Sequence, residues 1–134
     1  MSFYNSHIVS VILVTAGSGA TMSAEVLFAN GTSYCTLPDL PDRYIYSHTQ
    51  DGLTACGSGS SGNWDQCITL TDGHWLKSHT LLYIRGSHTS WALGDGRVVL
   101  MGGNGGLNSR ITSEILSPGS STTTEGFPMK NQLE

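Results

Sequence analysis

Apolar residues in this chain come in short runs, separated by Gly, Ser, Thr and Asn. The runs include "HIVSVILV" (7–14), "CITL" (67–70), "RVVLM" (97–101) and "EIL" (114–116). None repeats at 3.6 residues over the length that an amphipathic helix needs. Runs of four to eight bounded by turn formers read as strands with one or both faces buried. The expected class is therefore all-β, antiparallel, with frequent tight turns.

Three segments share one plan. They are "VILVTAGSGATMSAEVLFANGTSYCTLPDLP", "GLTACGSGSSGNWDQCITLTDGHW" and "GRVVLMGGNGGLNSRITSEILSPGSSTTTEGFPM". Each opens with an apolar strand ending in Gly and continues through a Gly/Ser/Asn turn. A second strand follows: Glu25-Val26-Leu27, Cys67-Ile68-Thr69-Leu70 or Glu114-Ile115-Leu116. A third short strand ends near Leu37, Trp75 and Phe127. The anchor glycines Gly17, Gly57 and Gly102 are 40 and 45 residues apart. Blade-type β repeats have periods of about 40 to 50 residues. Ahead of the second and third anchors, "RYIYSHTQDGLTACG" parallels "RGSHTSWALGDGRVVLMGG". This adds a fourth strand to each unit, turning at Asp51-Gly52 and Asp95-Gly96, where Gly tolerates positive φ. The units are 1–42, 43–84 and 85–134.

The Gly102-Gly103 doublet, the upstream Arg and Ser-His pairs, the Glu-Val-Leu or Glu-Ile-Leu strand, and Trp75 after Gly73 resemble kelch repeats. "YCTLPDLPDRYIYSHTQDGLTACG" and "LMGGNGGLNSRITSEIL" look like the kelch-type, galactose-oxidase-like β-propellers of Cys-containing animal proteins. The doublet is Gly17-Ser18 and Gly57-Ser58 in the first two units. The resemblance implies a partial β-propeller of two to three four-stranded blades. It implies that Arg43 with His48, and Arg85 with His88, hold neighbouring blades by hydrogen bonds. "TLPDLPDR" (36–43) then links two blades. Propellers close with about 4 to 8 blades, so further blades are expected, from a longer chain or from other copies.

Composition narrows the function. Charged residues make up 12% of the 134 residues, against about a quarter in ordinary domains. The formal net charge is −4, and Lys and Arg are scattered. Nucleic acid is therefore not an expected partner. No apolar run approaches the roughly 18 residues of a membrane span. "IVSVILV" has the look of a signal-peptide core, but no Lys or Arg precedes it, so a buried strand is expected there.

"ACGSGSSGNW" (55–64) carries the spacing G-x-G-x-x-G at Gly57, Gly59 and Gly62. A dinucleotide loop needs a helix after it to receive the pyrophosphate. The residues after Gly62 are "NWDQCITLTDGHW", poor helix material with a strand in it. A turn is expected, and no cofactor. If that turn closes a hairpin, Cys56 and Cys67 face each other and bridge, leaving Cys35 without a partner. Three reduced thiols in a cytosolic protein is the other reading. Asn30-Gly31-Thr32 is a glycosylation sequon, meaningful in an extracellular setting.

Ser-His-Thr at His48, His79 and His88 reads as a structural repeat, since buried polar groups need partners. Tyr44, Tyr46 and His48 alternate along one strand face, and imidazole suits copper, so a galactose-oxidase-like copper oxidase or a sugar-processing propeller is the alternative. A copper site needs further ligands that no motif supplies. Trp64, beside the Gly-rich loop, is the candidate contact residue. The expected function is non-catalytic protein binding through the loops Gly57–Asn63 and Gly102–Asn108. Ordering flexible loops lowers affinity, so neighbouring blades would need to contribute.

Overall fold

The computed structural model describes residues 11–15, 22–28, 34–41, 54–57 and 65–130. Among these residues, three antiparallel sheets follow one another along the chain. In the first, β1 (Val11–Thr15), β2 (Ala24–Phe28) and β3 (Tyr34–Leu37) lie in that order. In the second, β4 (Thr54–Cys56), β5 (Gln66–Thr71) and β6 (His74–Thr80) do the same. The third holds β7 (Thr89–Ala92), β8 (Val98–Met101), β9 (Ser113–Leu116) and β10 (Thr124–Glu125), again neighbour beside neighbour. Among the described residues, none of the sheets closes on itself.

The turns obey their chemistry. Asp72 and Gly73 both have positive φ, at 49° and 77°, as a two-residue type I′ hairpin between β5 and β6 requires. Between β7 and β8, the Leu93 amide donates to the Arg97 carbonyl and the Gly96 amide to the Leu93 carbonyl. Gly96 takes φ 87° there, as the sequence expects.

One element was not expected. Leu107–Ile111 forms a single helical turn, α1, inside the Gly-rich segment after β8. "GGNGGLNSRI" reads as a turn because its glycines disfavour helix. The helix exists because its carbonyl end is held from outside, by a guanidinium on the connector between β6 and β7.

Backbone links join the sheets. Thr80 in β6 forms a parallel bridge with Thr122 ahead of β10. Its amide donates to the Ser121 carbonyl, and its own carbonyl accepts from the Thr123 amide. A further bond recurs once per sheet. The amides of Leu40, Leu81 and Met129 donate to the carbonyls of Met22, Asp65 and Ile111. Each acceptor lies two residues before a buried small residue: Ala24, Cys67 or Ser113.

The core lies between sheets. Cys56, Cys67 and Leu81 pack with Val98, Leu100 and Leu116 of the third sheet. Leu40 crosses from the first sheet onto Ala55 and Ile68 of the second, with Trp75 against them. At about 25 cal/mol per Å² of apolar surface buried, such interlayer contacts are the main favourable term.

Candidate binding surface

The second and third sheets are joined by the connector that runs from β6 to β7, residues 81–88. Glu114 on β9 is fully buried beneath it. Its Oε1 accepts from Arg85 Nε at 2.9 Å, from Arg85 Nη2 at 2.7 Å and from the Tyr83 amide at 3.2 Å. Its Oε2 accepts from the Leu82 amide at 2.7 Å and from the Thr123 hydroxyl. Five donors thus surround one carboxylate, the condition under which a buried charge is tolerated.

Arg85 is also fully buried. Its Nη1 donates to the carbonyls of Gly102 at 2.6 Å, Thr112 at 3.3 Å and Ser109 at 3.4 Å. Its Nη2 reaches the Thr112 hydroxyl at 3.1 Å. Two of those carbonyls lie at the C-terminal end of α1, where a helix leaves acceptors unpaired. One guanidinium therefore satisfies the helix end and the buried acid together. All of these partners lie between Gly102 and Glu114, on β9 or in the segment between β8 and β9. The sequence reads Arg85, with His88, as a tie between neighbouring blades; in the structure Arg85 stands on the connector between the second and third sheets, and its side chain reaches Glu114 on β9 of the third.

The loop after β8 is docked on the connector by close backbone approach. Gly86 and Asn104 exchange both amide bonds, at 2.6 and 2.7 Å. A Cβ on Gly103 would lie 2.5 Å from the Gly86 carbonyl, and one on Gly105 2.0 Å from the Ile84 carbonyl. Only glycine permits this contact. The segment Gly102–Asn108, expected as a flexible binding loop, is thus held along much of its length. Beside it lies a cleft of about 460 Å³, lined by Leu82, Tyr83, Ile84, Gly105, Gly106, Asn108 and Ser109. Leu82 and Ile84 are 52% and 48% exposed at its edge.

The other expected residues take different places. Gly57 continues the β4–β5 ladder through its amide to the Gln66 carbonyl. A Cβ on it would lie 2.1 Å from the Arg85 carbonyl, so this first glycine of the G-x-G-x-x-G run serves packing between units. Gly102 and Gly103 both have positive φ. His88 is buried beside Arg85, and desolvation first, then the Arg85 charge, lowers its pKa to about 4. Trp75 donates from Nε1 to the Pro38 carbonyl at 2.8 Å, fixing the segment that leaves the first sheet. Cys56 and Cys67 are bonded as a disulfide across directly paired positions, and Cys35 is a free, exposed thiol. Gly17, Asn30, Arg43, Tyr44, Tyr46, His48 and Trp64, and all of the Gly57–Asn63 loop but its first residue, lie outside the described residues.

Glu114 is the residue that sequence reasoning missed as a site. The available signal was an acid inside the apolar strand "SEIL", with a lone Arg in "LLYIRG". Among the described residues, no three His, Cys, Asp or Glu side chains gather as metal ligands would. No helix there is long and apolar enough to cross a membrane. No family model matches the chain, and no curated protein matches it.

Proposed function

We propose that the chain is a partial kelch-type β-propeller acting as a non-catalytic binding module for a protein partner. Three consecutive antiparallel sheets support the architecture, each packed on the next and marked by the same amide bond at Leu40, Leu81 and Met129. The observation that carries the function is the cleft between residues 82–84 and 105–109, edged by exposed Leu82 and Ile84. Its walls are pinned from below by the Arg85–Glu114 pair, so a partner would bind without ordering them first. The disulfide fits an oxidising, extracellular compartment.

The test is binding to an array of extracellular proteins, comparing wild type with Leu82→Asp and Ile84→Asp, and with Leu76→Asp, exposed on β6, as a control away from the cleft. Binding abolished by the first two and kept by the control is the expected result. Equal binding by all four proteins overturns the cleft as the contact surface. Stoichiometric copper that is lost in His48→Ala would point to the oxidase alternative instead.

A further inference from the structure

The Cys56–Cys67 bridge and the cleft wall share one support. Cys56 ends β4, Cys67 stands opposite it on β5, and both are fully buried. The connector that walls the cleft rests on both strands, beside the bridged residues. On the β5 side, the Leu81 amide donates to the carbonyl of Asp65, two residues before Cys67, at 2.6 Å. On the β4 side, the Arg85 carbonyl lies against Gly57, the residue after Cys56. A Cβ on Gly57 would stand 2.1 Å from it. Gly57 is tied back to the β5 side by its amide, which donates to the Gln66 carbonyl at 2.9 Å. Leu82, Tyr83 and Ile84, which line the cleft, are thus strung between Leu81 and Arg85, and the bridge holds those two contacts together.

Leu81 has a second tie to the bridge. It packs in one buried cluster with both cysteines and with Val98, Leu100 and Leu116. None of the six is more than 5% exposed, and interiors of this kind are close-packed. Two thiols need more room than one disulfide, because sulfurs that are not bonded keep a van der Waals separation. Added volume in such a core pushes its neighbours off their positions. Val98, Leu100 and Leu116 are held in the β8–β9 ladder, whereas Leu81 lies beyond the end of β6, outside any strand. The displacement therefore falls on Leu81, where the connector begins.

We infer that the Cys56–Cys67 bridge is a redox switch for the cleft: the oxidised chain holds residues 82–84 in place, and the reduced chain releases them. A dithiol reductant breaks the sulfur–sulfur bond. Its two hydrogens pass to the two cysteine sulfurs, and it leaves as its own disulfide. Leu81 then shifts, and the amides of Leu82 and Tyr83 draw away from the Glu114 carboxylate, to which they donate at 2.7 and 3.2 Å. Binding at the cleft is confined to the oxidised chain, and the module stays silent in a reducing compartment. Both sulfurs are fully buried, so exchange waits on opening of the sheet interface, and the state set when the bridge forms persists. The switch rests on the reading of the cleft as the binding surface.

Amide hydrogen exchange of the full chain, oxidised and after prolonged treatment with excess dithiothreitol, tests this. Alkylation in denaturant reports the state: one thiol, Cys35, before reduction and all three cysteines after it. Reduction should speed exchange at Leu82 and Tyr83 by about ten- to a hundredfold, while the amides of the β8–β9 ladder keep their rates. In the double variant Cys56→Ala, Cys67→Ala the response to dithiothreitol should vanish. Equal exchange at Leu82 and Tyr83 in both redox states, a rise shared by every strand amide, or a response that survives in the alanine variant overturns the switch. A connector indifferent to reduction, with binding still lost in Leu82→Asp, removes the switch and leaves the cleft reading standing. A responsive connector, with binding unchanged in Leu82→Asp and Ile84→Asp, does the reverse.

Discussion

The second and third sheets solve one packing problem with different chemistry. At matched positions in the strand pairs, the second sheet has Cys56 opposite Cys67 and Ala55 opposite Ile68. The third has Met101 opposite Ser113 and Leu100 opposite Glu114. The second sheet is thus stapled covalently and buries an aliphatic residue, onto which Leu40 packs directly. The third buries a carboxylate, which recruits Arg85, Thr123 and two connector amides. An aliphatic contact is non-directional and fixes little beyond burial. A carboxylate with five donors fixes the path of the connector, the end of α1 and the wall of the cleft at once. The costlier group to bury thus stands where one side chain holds several neighbouring segments together.

Breaking the polar solution should have the largest effect. Glu114→Ala leaves the Arg85 guanidinium buried without its anion, and loss of one partner of a buried pair costs about 3–5 kcal/mol. Chemical denaturation should show this as a lower midpoint. Transplanting the second sheet's answer sharpens the comparison. The double variant Arg85→Met, Glu114→Ile should lose less than the sum of its two single variants. Equal or greater loss would mean that the two groups do not act as a pair.

His88 gives the third unit a pH dependence. Its folded pKa is about 4, below the ordinary 6.5, through desolvation and the Arg85 charge. Above about pH 6.5 the ring is neutral in both states, and its full contribution is present. As pH falls from there, the unfolded chain takes up the proton first and stability declines, levelling off below pH 4. The decline reaches roughly 3 kcal/mol, and His88→Gln should flatten that part of the denaturation profile against pH.

Breaking the covalent solution should be comparable or somewhat smaller. Replacing both Cys56 and Cys67 with Ala should cost about 2–4 kcal/mol, read by thermal melting against the oxidised wild type. Both sulfurs lie in the core between the second and third sheets, so thiol-specific labelling after mild reductant should be slow until that interface opens. The smallest effect is expected at Trp75→Phe. It keeps an aromatic ring but loses the indole N–H and its bond to the Pro38 carbonyl, at about 1 kcal/mol, with the change confined to the link from the first sheet.

Much of this division was legible in the sequence. The strands containing "CITL", "VVLM" and "EIL", the Asp-Gly turn at 95–96 and the Cys56–Cys67 bridge follow from local rules: alternation, turn residues and facing positions in a hairpin. What stayed hidden depends on non-local geometry. Arg85 and Glu114 are 29 residues apart, and only the folded path of the connector brings them together. Helix α1 was unreadable for the same reason, because the group that holds its end lies on that connector. The Gly-rich loop after β8 looked flexible because a lone sequence cannot show the carbonyls of Ile84 and Gly86 against which its glycines lie.

The cleft wall is a fixed part of the packing around the third sheet rather than a mobile loop. Native-state amide hydrogen exchange tests this directly at Leu82 and Tyr83, whose amides donate to the Glu114 carboxylate, and at Gly86 and Asn104, whose amides donate to each other's carbonyls. These four should exchange with the slow amides of the β8 and β9 strands, and Glu114→Gln should speed Leu82 and Tyr83 first. Exchange of all four at loop rates while the strands stay protected would contradict it.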